Sequence, residues 1–137
     1  MKKELEFCEL LPYSLKKVWA VLQQPADVVC EPNVKVEKLS DTQWVEHCSD
    51  GASNNSTAHI DEEQHKVVVE TVNSKYTTET NVIELVLKET GDQCELHVDY
   101  TVGTGAIFNI ITMKVLGDKL LHHASKVILK NIRKKLT

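Results

Sequence analysis

No stretch of this chain approaches the roughly 20 consecutive apolar residues that cross a bilayer, so no integral membrane association is expected. Near the start, Lys2, Lys3, Glu4 and Glu6 interrupt the apolar residues before a secretion-signal core can form. The expected location is therefore cytoplasmic, where the cysteines remain reduced. The four cysteines, Cys8, Cys30, Cys48 and Cys94, contain no CxxC pair, which removes the usual zinc and thioredoxin-like spacings and leaves buried inert thiols as the expectation. Positive charge is also short. Lys and Arg number 16 against 20 Asp and Glu, a net charge of −4, which argues against nucleic-acid binding. The cluster Lys126, Lys130, Arg133, Lys134 and Lys135 is read as complementing the negative end of a helix dipole.

Cofactor signatures are equally scarce. His59, His65, His97, His122 and His123 lack the i, i+4 helical spacing of a zinc pair, and Asp61-Glu62-Glu63 falls in a turn where charge is solvated, so no metal site is expected. Gly103-Thr104-Gly105 precedes a helix but lacks the third glycine and the βαβ setting of a dinucleotide site. It is read as a hinge, and no cofactor is expected. Without repeats, linkers or low-complexity segments, the sequence predicts one domain over residues 1–137.

What is present is an ordinary globular composition, 42% hydrophobic and 26% charged, enough to build a core. Leu5, Phe7 and Leu11 share one parity and predict a first strand over Lys3 to Leu11, ended by Pro12. Ser14 stands as an N-cap before Leu15, Val18, Trp19 and Leu22, which recur at helical spacing through Gln23. Pro25 opens a second short helix through Val28 and Val29, and Pro32 stops it.

Strand-like runs then follow over Asn33 to Leu39, Gln43 to Cys48, Ser53 to Ile60, His65 to Asn73, Tyr76 to Glu89 and Gln93 to Val102, separated by turn residues. The last alternates Leu96, Val98, Tyr100 and Val102 with Glu95, His97, Asp99 and Thr101, one face for a core and one for water. From Ala106 to about Lys135 no proline occurs, predicting a helix of roughly 30 residues, about 45 Å long. Ile107, Ile110, Gly117, Leu121, Ala124, Ile128 and Ile132 form its apolar stripe, opposite Lys119, His122, Lys126, Lys130 and Arg133.

One strand, two short helices, six strands and a long terminal helix make an α+β arrangement. It is a seven-stranded curved antiparallel sheet around a C-terminal helix, the order of the helix-grip fold. The run Leu11-Pro12-Tyr13-Ser14-Leu15-Lys16-Lys17-Val18-Trp19-Ala20-Val21-Leu22 resembles the opening of the START-like, Bet v 1-like and polyketide-cyclase-like superfamily. Within it the chain looks most like a small bacterial branch whose function is not established. The resemblance implies a cavity between sheet and helix that holds a lipid-like, polyketide-like or other apolar small molecule.

The residues expected at such a cavity follow from parity and position. Counting back from Ile83, Leu85 and Leu87 puts Thr77, Glu79 and Asn81 on the inward face if the strand stays regular, a carboxylate and an amide at one mouth; the alternatives are an end that projects past the helix into water or a bulge that flips the parity. Trp19, Trp44 and Tyr100 are apolar bodies with one polar tip each, and Met113 and Gly117 stand on the helix, where Gly117 and Ala124 leave room. Glu46 and Cys48 point one way and His47 the other, so no Cys-His nucleophile pair is expected there. A carrier or sensor of an apolar ligand is favoured, with no catalytic residue assigned. The alternatives are a cyclase-like or hydrolase-like enzyme using Glu79 or Tyr100, with His97 weakened because parity turns it outward, or a protein-interaction module resembling the chaperone-activating branch.

Overall fold

A computed structural model of the chain describes residues 2–32, 34–47, 51, 53–73, 80–103 and 110–137, with side chains described throughout except at 2–5, 73, 102–103 and 110–121. The elements run β1 (Lys2–Leu11), α1 (Leu15–Leu22), α2 (Pro25–Val29), β2 (Lys35–Lys38), β3 (Gln43–His47), β4 (Ser53–Asp61), β5 (Lys66–Asn73), β6 (Asn81–Thr90), β7 (Gln93–Gly103) and α3 (Ile110–Leu136).

All strand pairs are antiparallel, in one seven-stranded sheet of order β1-β7-β6-β5-β4-β3-β2. Strands β2 to β7 form a meander, and β1 is added beside β7 at the far edge. The pair α1 and α2 carries the chain from one edge of the sheet to the other. The fold is the seven-stranded helix-grip arrangement that the element order implied.

Local chemistry explains the turning points. The Ser14 side chain accepts a hydrogen bond from the Lys17 N–H at 3.3 Å, satisfying one of the first free donors of α1. Pro25 supplies the preset φ at the start of α2. Gly91, at φ 61°, makes the two-residue turn that joins β6 to β7, with Thr90 opposite Gln93. Between β4 and β5, Asp61 accepts from the Gln64 N–H and His65 adopts φ 50°.

The alternation predicted for β7 places Leu96 and Val98 in the core and Asp99 in solvent. Along α3, Ile128 and Ile132 are buried while His122, Lys126, Lys130 and Arg133 are exposed. No helix among the described residues is long and apolar enough to cross a membrane.

Some boundaries differ from those read in the sequence. Strand β2 covers only Lys35–Lys38, because at the edge of the sheet its residues are largely exposed and gain little from longer pairing. Strand β6 begins at Asn81; residues 76–79 and 104–109, which include the predicted start of the long helix at Ala106 and the Gly103-Thr104-Gly105 hinge beyond Gly103, lie outside the described residues. Cys30 and Cys94 are buried, but Cys8 is exposed, contrary to the expectation of a buried thiol: Phe7 and Leu11 take the inward parity of β1, which turns Cys8 outward. Cys48 lies outside the described residues.

Candidate functional site

The inner face of the sheet changes character along every central strand. On β6, Leu87 and Leu85 are buried, Ile83 is half-buried, and Asn81 follows. The same progression runs from Val67 and Val69 to Thr71 on β5, from Ala58 through Ser56 to Asn54 on β4, from Leu96 and Val98 to Tyr100 on β7, and from Trp44 to Glu46 on β3. Register brings the polar ends together. Glu46 is opposite Asn54, Ser56 opposite Thr71, Thr71 opposite Asn81, and Ile83 opposite Tyr100.

At that end the described side chains leave space beneath α3, a cavity of about 380 Å³. Its floor is Glu46, Asn54, Thr71, Asn81, Ile83 and Tyr100. Ala124, Val127 and Ile128 of α3 form the roof, and Val29, Glu31 and Val34 form a wall between α2 and β2. The wall is tied to the roof by Asn131, whose amide donates to the carbonyls of Val28 at 2.8 Å and Cys30 at 2.9 Å. At the rim, His123 of α3 pairs with Glu31.

The polar groups of the floor are electrostatically coupled. The Cys30 thiol donates to Glu46 Oε1 at 3.5 Å. Burial pushes the Glu46 carboxyl above its ordinary value, the Cys30 bond and the nearby Trp44 indole pull it back, and the Glu31 charge pushes it up again. Trp44 Nε1 itself is buried without a hydrogen-bond partner among the described residues. Burial, and then the Glu46 charge, push the Tyr100 phenol up, so at neutral pH it remains a donor. Burial and Glu46 together push the Cys30 thiol far up, which keeps it protonated and unsuited to nucleophilic attack. The site thus offers a costly carboxylate, a phenolic donor, amides and hydroxyls around an apolar space. That set can orient the polar group of a ligand, or hold and pass a proton.

The residues singled out from the sequence divide into three groups. Asn81, Ile83 and Tyr100 line the cavity. Trp19 and Trp44 are not among the residues that line it. Trp44 is 1% exposed and fills the packed part of the inner face, while Trp19 meets His65 edge-on with ring centroids 5.2 Å apart, fixing α1 against the β4–β5 turn. Glu79 lies outside the described residues, and Met113 and Gly117 lie on α3 where side chains are not described. Glu46 was missed as a lining residue. The signal was available, since Glu46 stands two positions after the inward-facing Trp44 and must share its face. Val29, Glu31 and His123 carried no such signal, because chain crossings between distant elements bring them to the rim.

No protein-family model matches the sequence, and no curated protein matches it. Solved structures do match by shape. A START superfamily protein from Mycobacterium smegmatis superposes with a TM-score of 0.73 at 14% identity, covering 98% of this chain and 99% of the other. A point mutant of norcoclaurine synthase from Thalictrum flavum, in complex with a transition-state analogue, gives 0.68 at 14% identity, covering 100% of this chain and 98% of the other. The structure of Ara h 8.0201 gives 0.64 at 12% identity, over 96% and 95% of the two chains. Likeness at these identities establishes the fold.

Proposed function

We propose that this chain, on its START/Bet v 1-like fold, binds a compact, mainly apolar small molecule in the cavity between the sheet and α3. The ligand's polar group meets Glu46, Asn81 and Tyr100. The observation that supports this reading is the change along the inner face from close-packed aliphatic residues to half-buried polar ones around about 380 Å³ of unfilled space. That volume lies near the lower end of the roughly 300–1,000 Å³ of small-molecule sites. Ile83, Val127 and Ile128 supply apolar contact, and the raised Glu46 carboxyl accepts a hydrogen bond from the ligand. The structural relative in complex with a transition-state analogue supports the same reading, since a protein of this fold holds a small molecule.

The test is native mass spectrometry of the purified chain, followed by thermal shift against a panel of apolar compounds with hydrogen-bond-donating groups. A ligand at a hundred times its Kd stabilises the fold by about 2.7 kcal/mol, a rise of several degrees. Ala124→Leu, which fills the roof, removes that rise while the empty protein melts at or above the wild-type temperature. Compounds that shift wild type and Ala124→Leu equally bind elsewhere, and the cavity reading fails. Consumption of the ligand, lost in Glu46→Gln, replaces binding by catalysis.

A further inference from the structure

A second group of matched side chains lies on the opposite face of the sheet. Because Phe7, Leu96 and Val98 point into the core, Cys8 on β1 and Glu95 and His97 on β7 point out. Register sets Cys8 directly opposite His97. Cys8 Sγ lies 3.8 Å from His97 Nε2, Nε2 is hydrogen-bonded to Glu95 Oε1, and the three atoms all fall within 4.8 Å of one another. Around a tetrahedral zinc ion, with bonds of about 2.3 Å to sulfur and 2.0–2.1 Å to nitrogen, those two ligand atoms stand about 3.5 Å apart. The Cys8–His97 pair is already within a few tenths of an ångström of that separation, whereas metal binding has to open the His97–Glu95 hydrogen bond to about 3.4 Å, with the imidazole proton carried on Nδ1.

The surroundings favour a cation. On the next rung of the outer face, Glu6 is opposite Asp99 and Asp99 opposite Glu84, like charges placed directly across strands. Glu84 is answered by Lys66 at 3.0 Å. Glu6 and Asp99, with Cys8 and His97, line a surface depression. Lys88, opposite Glu95, is the cation whose charge a metal would have to outweigh there. The ligands are carried on a continuous β1–β7 ladder, so their spacing is held by backbone pairing rather than by a loop.

We propose that Cys8, Glu95 and His97 form a binding site for a borderline divalent cation, with zinc matching a thiolate, imidazole and carboxylate set best and water completing four-coordination. Binding releases the thiol proton to solvent and fastens the edge strand β1 to β7. The site is separate from the cavity, on the other side of the sheet.

Cobalt(II), a spectroscopic stand-in for zinc, tests this on the tag-free full chain. One equivalent of cobalt is expected to produce a thiolate-to-metal charge-transfer band and the intense visible bands of a four-coordinate ion, both abolished by zinc. Cys8→Ser removes the charge-transfer band. His97→Ala and Glu95→Gln each weaken binding, His97→Ala by more than the roughly 10- to 100-fold that loss of an outer-shell partner costs. His59→Ala, at an exposed imidazole on the same face, changes neither band. Circular dichroism establishes that each variant is folded, and Glu95→Gln, which keeps the side-chain shape, carries the test if another variant is not. A wild-type protein without the charge-transfer band, a band that survives Cys8→Ser, or unchanged affinity in folded Glu95→Gln overturns the proposal.

Discussion

Leu85 and Asn81 share a strand and a face, yet one is sealed and the other borders open space. At the Leu85 end the sheet is covered twice. α1 packs on β6 and β7 with Val18 and Leu22 buried, and the last turns of α3 add the buried Ile132. At the Asn81 end the roof, among the described residues, is Ala124, Val127 and Ile128 of α3. Among the described residues the roof leaves space above the sheet there, and most of the floor beneath it is polar. The comparison teaches that close packing stabilises one end of the inner face, while the other is the end that, on the proposed reading, receives the ligand.

The sharpest way to break that comparison is a truncation at each end of the same strand. Leu85→Ala is expected to cost about 3 kcal/mol, as for aliphatic truncation in a close-packed core, and Ile83→Ala about 1 kcal/mol, because its side chain already faces a void. Urea denaturation measures both, and equal costs would mean the two ends are packed alike.

A smaller effect of opposite sign is expected at Glu46. Its native carboxyl titrates above the ordinary 4.5, so the folded protein holds a proton that the unfolded chain has lost, and stability falls as pH rises through the native value. Glu46→Gln should therefore raise stability at neutral pH by about 1 kcal/mol, lose that advantage in acid, and weaken ligand binding. Melting curves across pH test this; a variant less stable than wild type at pH 7 would make Glu46 a structural residue.

A third effect, about 0.5 kcal/mol, concerns the clamp that holds the cavity wall. Asp27 of α2 meets Lys38 of β2 at 2.7 Å and Lys135 of α3 at 3.3 Å. Burial pushes its carboxyl up, but the two ammonium groups overrule it and hold the pKa below 3.8. This contribution is present above the unfolded value and disappears as pH falls through the native one. Asp27→Asn should remove it, flattening that part of an acid-unfolding curve. The smallest change is Lys126→Asp, on the exposed face of α3, within about 0.5 kcal/mol of wild type by thermal melting.

Much of the frame is legible wherever a repeating local pattern exists. Ser14, Pro25 and Gly91 mark turning points by their own chemistry, and the alternation of Leu96 and Val98 with Asp99 assigns the faces of β7 without any partner. The cavity floor is only partly legible. Asn81, Ile83 and Tyr100 follow from parity, but parity cannot say that Trp44 is sealed in the core, or that Trp19 turns to His65. Legibility fails where register joins distant strands. Helical spacing of histidines is a local signal, whereas Cys8 meets His97 across a separation of 89 residues that no local motif encodes.

That separation also has a kinetic meaning. The hairpin of β6 and β7 can close on the Gly91 turn from neighbouring residues alone, but β1 has no partner until β7 exists. At about 5–20 residues per second of synthesis, β1 waits on the order of 5 to 20 s with Phe7 and Leu11 uncovered. Docking of β1 is a contact of high sequence separation, the kind that slows folding, and the last edge to be sealed is the one an aggregating chain would find open.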